Sequence, residues 1–480
     1  MKNVALHNLG CKVNGYEMDV MQQRLEEKGY KIVPFDKKAD IYIINTCTVT
    51  NIADRKSRQM LHRAKKMNPQ AVVVAVGCYV QTGAEEALKD ASIDLAIGNN
   101  RKKDLISILE EFLMIREKEG AEDKGKADSE ESASAAVEKE QSGCIQEKTL
   151  FGKSVIDINH TDEYEEMQLY KTGEHTRAFI KIQDGCNQFC SYCIIPYARG
   201  RVRSRKPEDV IAEVKALAMN GYREVVLTGI HLSSYGLDFD GVKGIGAGEA
   251  FPYERLLSLI KEVHEVEGIE RIRLGSLEPR IITEPFVKEL ASMEKFCPHF
   301  HLSLQSGCDE TLKRMNRKYT AEEYYKRVCL LREYFVQPAI TTDVIVGFPG
   351  ETKEEFEETY RFLEKTGFYE MHVFKYSKRQ GTVAAAMKEQ VPEEVKGMRS
   401  DRLLTLVRAQ SEAFRKEFLH KETTVLFEEA KVIDGRTYQV GHSMEYIRAA
   451  CKTQGDLPGQ IIRGRFTEFL APDILLFEKQ

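Results

Sequence analysis

Six of the eleven cysteines are placed where they could do chemistry. Three fall within eight residues, Cys186, Cys190 and Cys193 of "GCNQFCSYC", spaced CxxxCxxC. Three more are far apart: Cys11 in "NLGCKVN", Cys47 in "INTCTVTN" and Cys78 in "AVGCYVQ". Reduced thiols at such spacing bind metals or exchange electrons. A structural zinc ion normally takes four protein ligands, and three adjacent thiols leave one missing. Either a fourth comes from elsewhere, with His231 and His301 as candidates, or the gap is useful. A cubane iron–sulfur cluster on three thiolates keeps one iron open to a substrate or cofactor. Isolated cysteines are usually small buried hydrophobes. That reading suits Cys144, Cys297, Cys308, Cys329 and Cys451, which share no spacing.

The surrounding elements must bring these thiols together. Residues 1–115 alternate apolar strands ("NVALHNL", "ADIYIINT", "AVVVAVG", "IDLAIG") with helical stretches, the pattern of a parallel sheet covered on both faces. Cys11, Cys47 and Cys78 each follow directly on a predicted strand. In a parallel sheet the carboxyl ends of the strands share one edge, so three non-local thiols can meet there. Gly10 and Gly77 permit close backbone approach, and Asn14, Asn45 and Thr46 can donate to sulfur or backbone. Residues 116–150 read as a disordered acidic linker: 116–148 hold ten acids, six bases and no aromatic residue. From 172 to 420 the alternation returns in six longer strand–helix units, "RAFIKIQ" to "EMHVFKYS", which predict an open, partial (βα)6 barrel with its chemistry at the carboxyl ends of the strands. Residues 421–480 read as a small antiparallel β-barrel. The fold class is thus α/β, in three parts.

The 480 residues carry a net charge of −5, so any nucleic-acid surface must be a local basic patch. Three basic runs qualify. "RGRVRSRK" holds Arg199, Arg201, Arg203, Arg205 and Lys206. One helix crowds Arg55, Lys56, Arg58, Arg63, Lys65 and Lys66, and "LKRMNRK" holds Lys313, Arg314, Arg317 and Lys318. Such runs are often solvated faces, but together they fit a phosphate-binding surface. No apolar run reaches the length of about 20 residues that spans a bilayer, and the first residues lack a signal peptide's apolar core. A cytoplasmic protein with no membrane partner is expected.

CxxxCxxC after the first barrel strand, with an aromatic residue (Tyr192) before the last cysteine, resembles the radical S-adenosylmethionine enzymes. Almost the whole chain outside the linker is similar to the methylthiotransferase branch of that superfamily, through the three-cysteine N-terminal domain, "GCNQFCSYCIIPYARGRVRSR" and a tail like the RNA-binding TRAM domain. "NLGCKVNGYE", "INTCTVTNIADRKSRQ", "RLGSLEP" and "DVIVGFPGET" resemble the members that act on threonylcarbamoyladenosine in tRNA. The resemblance implies two 4Fe-4S clusters, one on Cys186, Cys190 and Cys193, the other on Cys11, Cys47 and Cys78. It also implies S-adenosylmethionine as methyl donor and as source of a radical that attacks the C2–H of the adenosine at position 37. The implied partners are the tRNA anticodon stem-loop, a low-potential electron donor such as flavodoxin or ferredoxin, and a sulfur donor.

Position at strand ends and the resemblance together nominate Tyr192, Thr228, Gly229, Glu278, Gln305, Ser306, Ile345 and Gly347 as contacts for S-adenosylmethionine; turn and cap chemistry is the competing explanation for each. No side chain stands out as a catalytic acid or base. The alternative targets are isopentenyl-adenosine in tRNA or a ribosomal protein. A non-catalytic RNA-binding protein with structural zinc is the alternative of another class.

Overall fold

The computed structural model describes residues 2–126, 154–171, 176–242, 244–452 and 455–480. The chain divides into two compact units, Met1–Leu169 with Ile194–Arg201, and Tyr170–Cys193 with Val202–Gln480.

The first unit is built on a five-stranded, wholly parallel sheet in the order β2-β1-β3-β4-β5, where β1 is Asn3–Asn8, β2 Lys31–Val33, β3 Ile41–Thr46, β4 Val72–Gly77 and β5 Leu95–Ile97. Every residue of β3 and β4 is buried, the apolar runs "IYII" and "VVVAVG" together with Asn45 and Thr46 at the end of β3. Strand β2 is a finding. Its three residues, "KIV", are too short to stand out from the loop. Helix Asn51–Met67 is capped by Thr50, whose side chain accepts from the Ala53 N–H, and it turns Leu61 and Ala64 inward. The expected linker needs correction at its start. Helix Leu105–Lys126 runs on through its first residues, since charged residues such as Arg116, Glu117 and Lys118 are good helix formers even where they bury nothing. The remainder, 127–153, lies outside the described residues.

The second unit carries six parallel strands in two sheets. The first has the order β7-β6-β8-β9, with β6 Arg177–Asp184, β7 Arg203–Ser204, β8 Glu224–Gly229 and β9 Arg271–Leu274; the short β7 runs antiparallel to β6. The second has the order β10-β11-β12, with β10 His299–His301, β11 Ala339–Val346 and β12 Glu370–Lys375. Isolated bridges Ile272–Phe296 and Leu277–Leu302 join the two. The six βα strands thus follow one another as expected, though the turn of the wall between β9 and β10 is made by single bridges. A closed five-stranded barrel ends the chain, in the order β13-β14-β15-β17-β16, with β13 Glu422–Ile433, β14 Arg436–Ser443, β15 Arg448–Cys451, β16 Ile461–Ala471 and β17 Ile474–Lys479. It is not wholly antiparallel: β15 pairs with β17 in parallel, because one strand must return in the same direction to close an odd-numbered ring.

The terminal barrel is fastened to the amino ends of β6, β8 and β9. Arg271 donates to the Thr424 and His442 carbonyls at 2.8 and 2.9 Å, and Arg273 donates to the Met444 carbonyl at 2.9 Å. Both arginines are buried around Glu224, which takes Arg273 Nε at 2.9 Å. Burial alone would raise the Glu224 carboxyl, but Arg273, Arg177 and Arg271 outweigh it and hold the group at about 2. A carboxylate held below its ordinary value of 4.5 stabilises the fold above that value, and the contribution is lost as pH falls towards 2. Glu224→Gln leaves the buried arginines without their counter-charge and should cost about 3–5 kcal/mol at neutral pH. The difference from the native protein should shrink as pH falls through that window. Urea unfolding at a series of pH values measures both.

Candidate active site

Sheet order explains why three distant cysteines meet. In a 2-1-3-4-5 sheet the chain reverses direction of travel between β1 and β3, and the carboxyl ends of those strands flank a crevice where ligands bind. Cys11 follows β1, Cys47 follows β3 and Cys78 follows β4. Cys11 is the N-cap of helix Lys12–Glu27. It reaches solvent, whereas Cys47 and Cys78 are buried. Burial pushes the Cys47 thiol up to about 11, and the neighbouring Cys78 and Cys11 add to the rise. A cation among these sulfurs would hold them as thiolates.

Polar side chains brace this edge. Asn14 donates to the Leu9 and Thr46 carbonyls, and Asn45 to the Asn14 carbonyl. Ser57 Oγ accepts from the Cys47 N–H at 3.2 Å and donates to its carbonyl at 3.0 Å. Asn99 Nδ2 donates to Cys78 Sγ at 3.4 Å. Gly10 adopts φ +113°, and a Cβ there would meet Cys47 Sγ at 3.2 Å and Asn14 Nδ2 at 3.0 Å. The donor set is all thiol and its cradle is closed on one side by bare backbone. Both features fit an iron–sulfur cluster. Beneath it lies a buried charge network. Arg199 clasps Glu17 at 2.8 and 3.0 Å and Asn14 Oδ1 at 2.6 Å, and Lys102 also pairs with Glu17.

In the second unit the CxxxCxxC loop leaves β6 through Gly185, at φ +71°, where Asp184 Oδ1 accepts the Gly185 N–H at 2.8 Å. The loop is tied by Ser191, which binds the Met315 and Arg314 carbonyls at 3.0 and 2.8 Å, and by Asn316 Nδ2, which donates to the Phe189 carbonyl. Cys193 N–H turns back to the Cys190 carbonyl at 2.9 Å. Burial drives the Cys186 thiol far up, with the neighbouring Cys190 and Cys193 adding to the effect. Arg317 Nη1 lies 3.3 Å from Cys190 Sγ. Neither histidine considered as a fourth ligand is committed to the thiols: His301 binds Thr341 Oγ1, and His231 binds Ser234 Oγ. Three thiolates with a fourth position uncommitted are what a cluster with one open iron requires.

Residues 3–98 match the model described as "Uncharacterized protein family UPF0004", and residues 180–363 match the Radical SAM superfamily. The chain is 38% identical over 96% of its length to the threonylcarbamoyladenosine tRNA methylthiotransferase MtaB of Bacillus subtilis, covering 93% of that protein. It is 40% identical over 87% of its length to the Aquifex aeolicus protein of the same name, covering 90% of it. It is also 35% identical over 89% of its length to the tRNA-2-methylthio-N(6)-dimethylallyladenosine synthase of Desulfitobacterium hafniense, covering 86% of it. The chain belongs to the radical S-adenosylmethionine tRNA methylthiotransferase family. It is an enzyme of that type, works with S-adenosylmethionine and 4Fe-4S clusters, and acts on tRNA. Among its described residues no helix is long and apolar enough to cross a membrane.

The nominated contacts of this methylthiotransferase divide by how their polar groups are spent. Gln305 stands at φ +73°, an uncommon conformation for a residue other than glycine, with its backbone bonded on both sides to β11. Tyr192 and Ile345 pack against one cluster with Met315, Phe348 and Tyr376. Gly347, at φ +69°, could not carry a Cβ, which would meet Lys396 Cγ at 2.3 Å. Gly229 is similarly closed by Gln183, and Thr228 is buried beside Gly275. Glu278 and Ser306 are already engaged. Glu278 accepts from the Arg280 backbone and guanidinium at 2.8 and 2.7 Å, and Ser306 Oγ pairs with Thr359 and the Cys308 N–H. Turn chemistry accounts for the Glu278 side chain, and a contact with helix Lys353–Thr366 together with its own turn accounts for Ser306.

The basic run 199–206 is corrected more sharply. Arg199, Arg203 and Arg205 are buried, and Arg199 and Arg205 pair with Glu17 and Glu213 at 2.8 and 2.6 Å. They are structural charges, not an RNA surface; only Arg201 and Lys206 reach solvent. Charge density alone could not tell a solvated arginine from one facing a buried carboxylate. Arg317, read from sequence as one more surface base, is instead the cation beside Cys190.

Gly10→Ala should displace Cys47 and empty the N-terminal site alone. Iron and acid-labile sulfide after anaerobic purification should fall from about eight to about four per chain. Replacing Cys186, Cys190 and Cys193 by alanine should remove the other four. A native count of about four that falls to none when Cys186, Cys190 and Cys193 are replaced would show that this edge holds no cluster.

Proposed function

We propose that the enzyme converts N6-threonylcarbamoyladenosine, at position 37 beside the tRNA anticodon, to its 2-methylthio derivative. The observation that carries the reading is the identity of 38 and 40% to two relatives named for that substrate; a third so named stands at 33%, and the relative named for the dimethylallyl substrate at 35%. In this reading Cys186, Cys190 and Cys193 hold one cluster and Cys11, Cys47 and Cys78 the other. When bound, the clusters and S-adenosylmethionine supply the radical, the sulfur and the methyl group. The chain's own work is to orient and to shield. Tyr192, Gln305, Ile345 and Gly347 form the wall for the cofactor, and Asn99 and Arg317 each donate to a ligand sulfur, which stabilises its charge.

The anticodon stem-loop needs a basic surface. With the buried arginines removed from consideration, the exposed face of helix Asn51–Met67 is the better candidate. Arg55, Lys56, Arg58, Arg63 and Lys66 are exposed there, and Val49 and Ile52 stand exposed just after Cys47. Arg201, Lys206 and the terminal barrel, read as TRAM-like, would add contacts. A flavodoxin or ferredoxin and a sulfur donor complete the proposed set of partners, in the cytoplasm.

Mass spectrometry of tRNA nucleosides decides the substrate. Expressed in a host lacking all tRNA methylthiotransferases, the enzyme should convert threonylcarbamoyladenosine to its 2-methylthio form and leave isopentenyl-adenosine unmodified. The opposite pattern would assign it to the dimethylallyl substrate.

A further inference from the structure

Strand register in the second unit assembles another set of ligands, away from the cysteines. Asp343 on β11 lies directly across from His372 on β12, and His301 on β10 lies directly across from Thr341 on β11. Residues two apart on a strand share a face, so Thr341 and Asp343 point the same way, and the two histidines come to Asp343 from its two flanking strands. His301 Nε2 lies 3.4 Å from Asp343 Oδ2, and His372 Nδ1 lies 3.1 Å from Asp343 Oδ1. One ligand atom from each of the three falls within 4.8 Å of the others. The imidazoles stack with centroids 5.7 Å apart.

We propose that His301, Asp343 and His372 bind a divalent transition-metal ion of the zinc type. Two imidazole nitrogens and one carboxylate oxygen are a donor set that such ions prefer. His301 is already oriented for it. Its Nδ1 is 3.0 Å from Thr341 Oγ1, which leaves Nε2 facing Asp343. A hydrogen bond at the far ring nitrogen is how metal-binding histidines are held in the correct tautomer. The other face of β11 turns Ile340, Val344 and Val346 into the apolar core, so the polar trio is not a leftover of core packing. Three protein ligands leave a fourth position open, the arrangement of a site that takes an exchangeable oxygen or nitrogen ligand rather than a purely structural one. Access exists on the side of His372, whose side chain is 58% exposed, beside the half-exposed ring of Phe374.

The location gives the site a part in substrate handling. Ile345 is the next residue on the same face of β11, about 7 Å along the strand, and it packs against the same aromatic cluster as Tyr192 of the CxxxCxxC loop. An ion here would stand on the face of β11 whose next residue, Ile345, packs against the same cluster as Tyr192 of the cysteine motif, with its open position available to an oxygen-bearing substituent. The site depends on three residues and not on which adenosine is modified, so the nucleoside experiment above and the metal experiment fail independently.

The test uses the holoenzyme with its clusters loaded, so that cysteines are occupied, and zinc as the probe. After addition of zinc and removal of the excess, about one zinc per chain should remain. X-ray absorption at the zinc edge should show nitrogen and oxygen ligands at about 2.0–2.1 Å and no sulfur at about 2.3 Å. His372→Ala, at an exposed position that should not disturb folding, and Asp343→Asn should each reduce the retained zinc to near none. Thr341→Val should weaken binding about 10-fold or more, because it removes the partner that orients His301. Zinc retained equally by the His372 and Asp343 variants, a sulfur shell, or no zinc on the native holoenzyme would each overturn the proposal.

Discussion

Parallel strand pairing is the constraint on which the rest of this protein depends. When strands run the same way, their carboxyl ends form one edge, and whatever residue follows each strand is delivered there. Cys11, Cys47 and Cys78 are separated by more than thirty residues each, yet all follow strands of one sheet. The CxxxCxxC loop, Gln305 and Gly347 likewise follow β6, β10 and β11 of the second unit. Thiols distant in sequence, such as Cys11, Cys47 and Cys78, therefore need no shared spacing. Strand direction collects them, and helices cover the faces.

Buried ion pairs hold both units, and they are costly to assemble. In the first unit Glu17 is shared by Arg199 and Lys102, and in the second Glu224 is shared by Arg273 and, more loosely, Arg177 and Arg271. Such pairs add little net stability compared with apolar packing, but removing one member strands the others. Their effect is to fix position. Arg199 binds both Glu17 and Asn14, and Asn14 braces the loop that carries Cys11. The Glu224 group fixes the terminal barrel against the amino ends of the strands. The terminal barrel and the cysteine loop are thus tied to opposite ends of the same strands.

The strands and thiols were legible because their signals are local. An apolar run such as "AVVVAVG" has one low-energy solution in a covered parallel sheet, and three cysteines in eight residues admit few uses. The arginines were not legible. Arg199, Arg203 and Arg205 alternate through a polar stretch that looks solvated, and only the packing reveals the carboxylates opposite Arg199 and Arg205. The same holds for Arg317, which sits in a basic run yet lies beside Cys190, for Glu278, whose carboxylate is taken by its own turn, and for Ser306, whose hydroxyl meets Thr359 of a distant helix.

The sequence by itself determined the element types, the break in composition before the central domain, the two cysteine sets and, through resemblance, the family. Those follow from periodicity, spacing and residue chemistry, which are properties of short stretches. Tertiary structure alone decided which charges are buried and which strands are neighbours. It also decided that His301, Asp343 and His372, drawn from three different strands, face one another. Register across a sheet is set by the packing of whole strands, and no stretch of sequence shorter than the domain contains it.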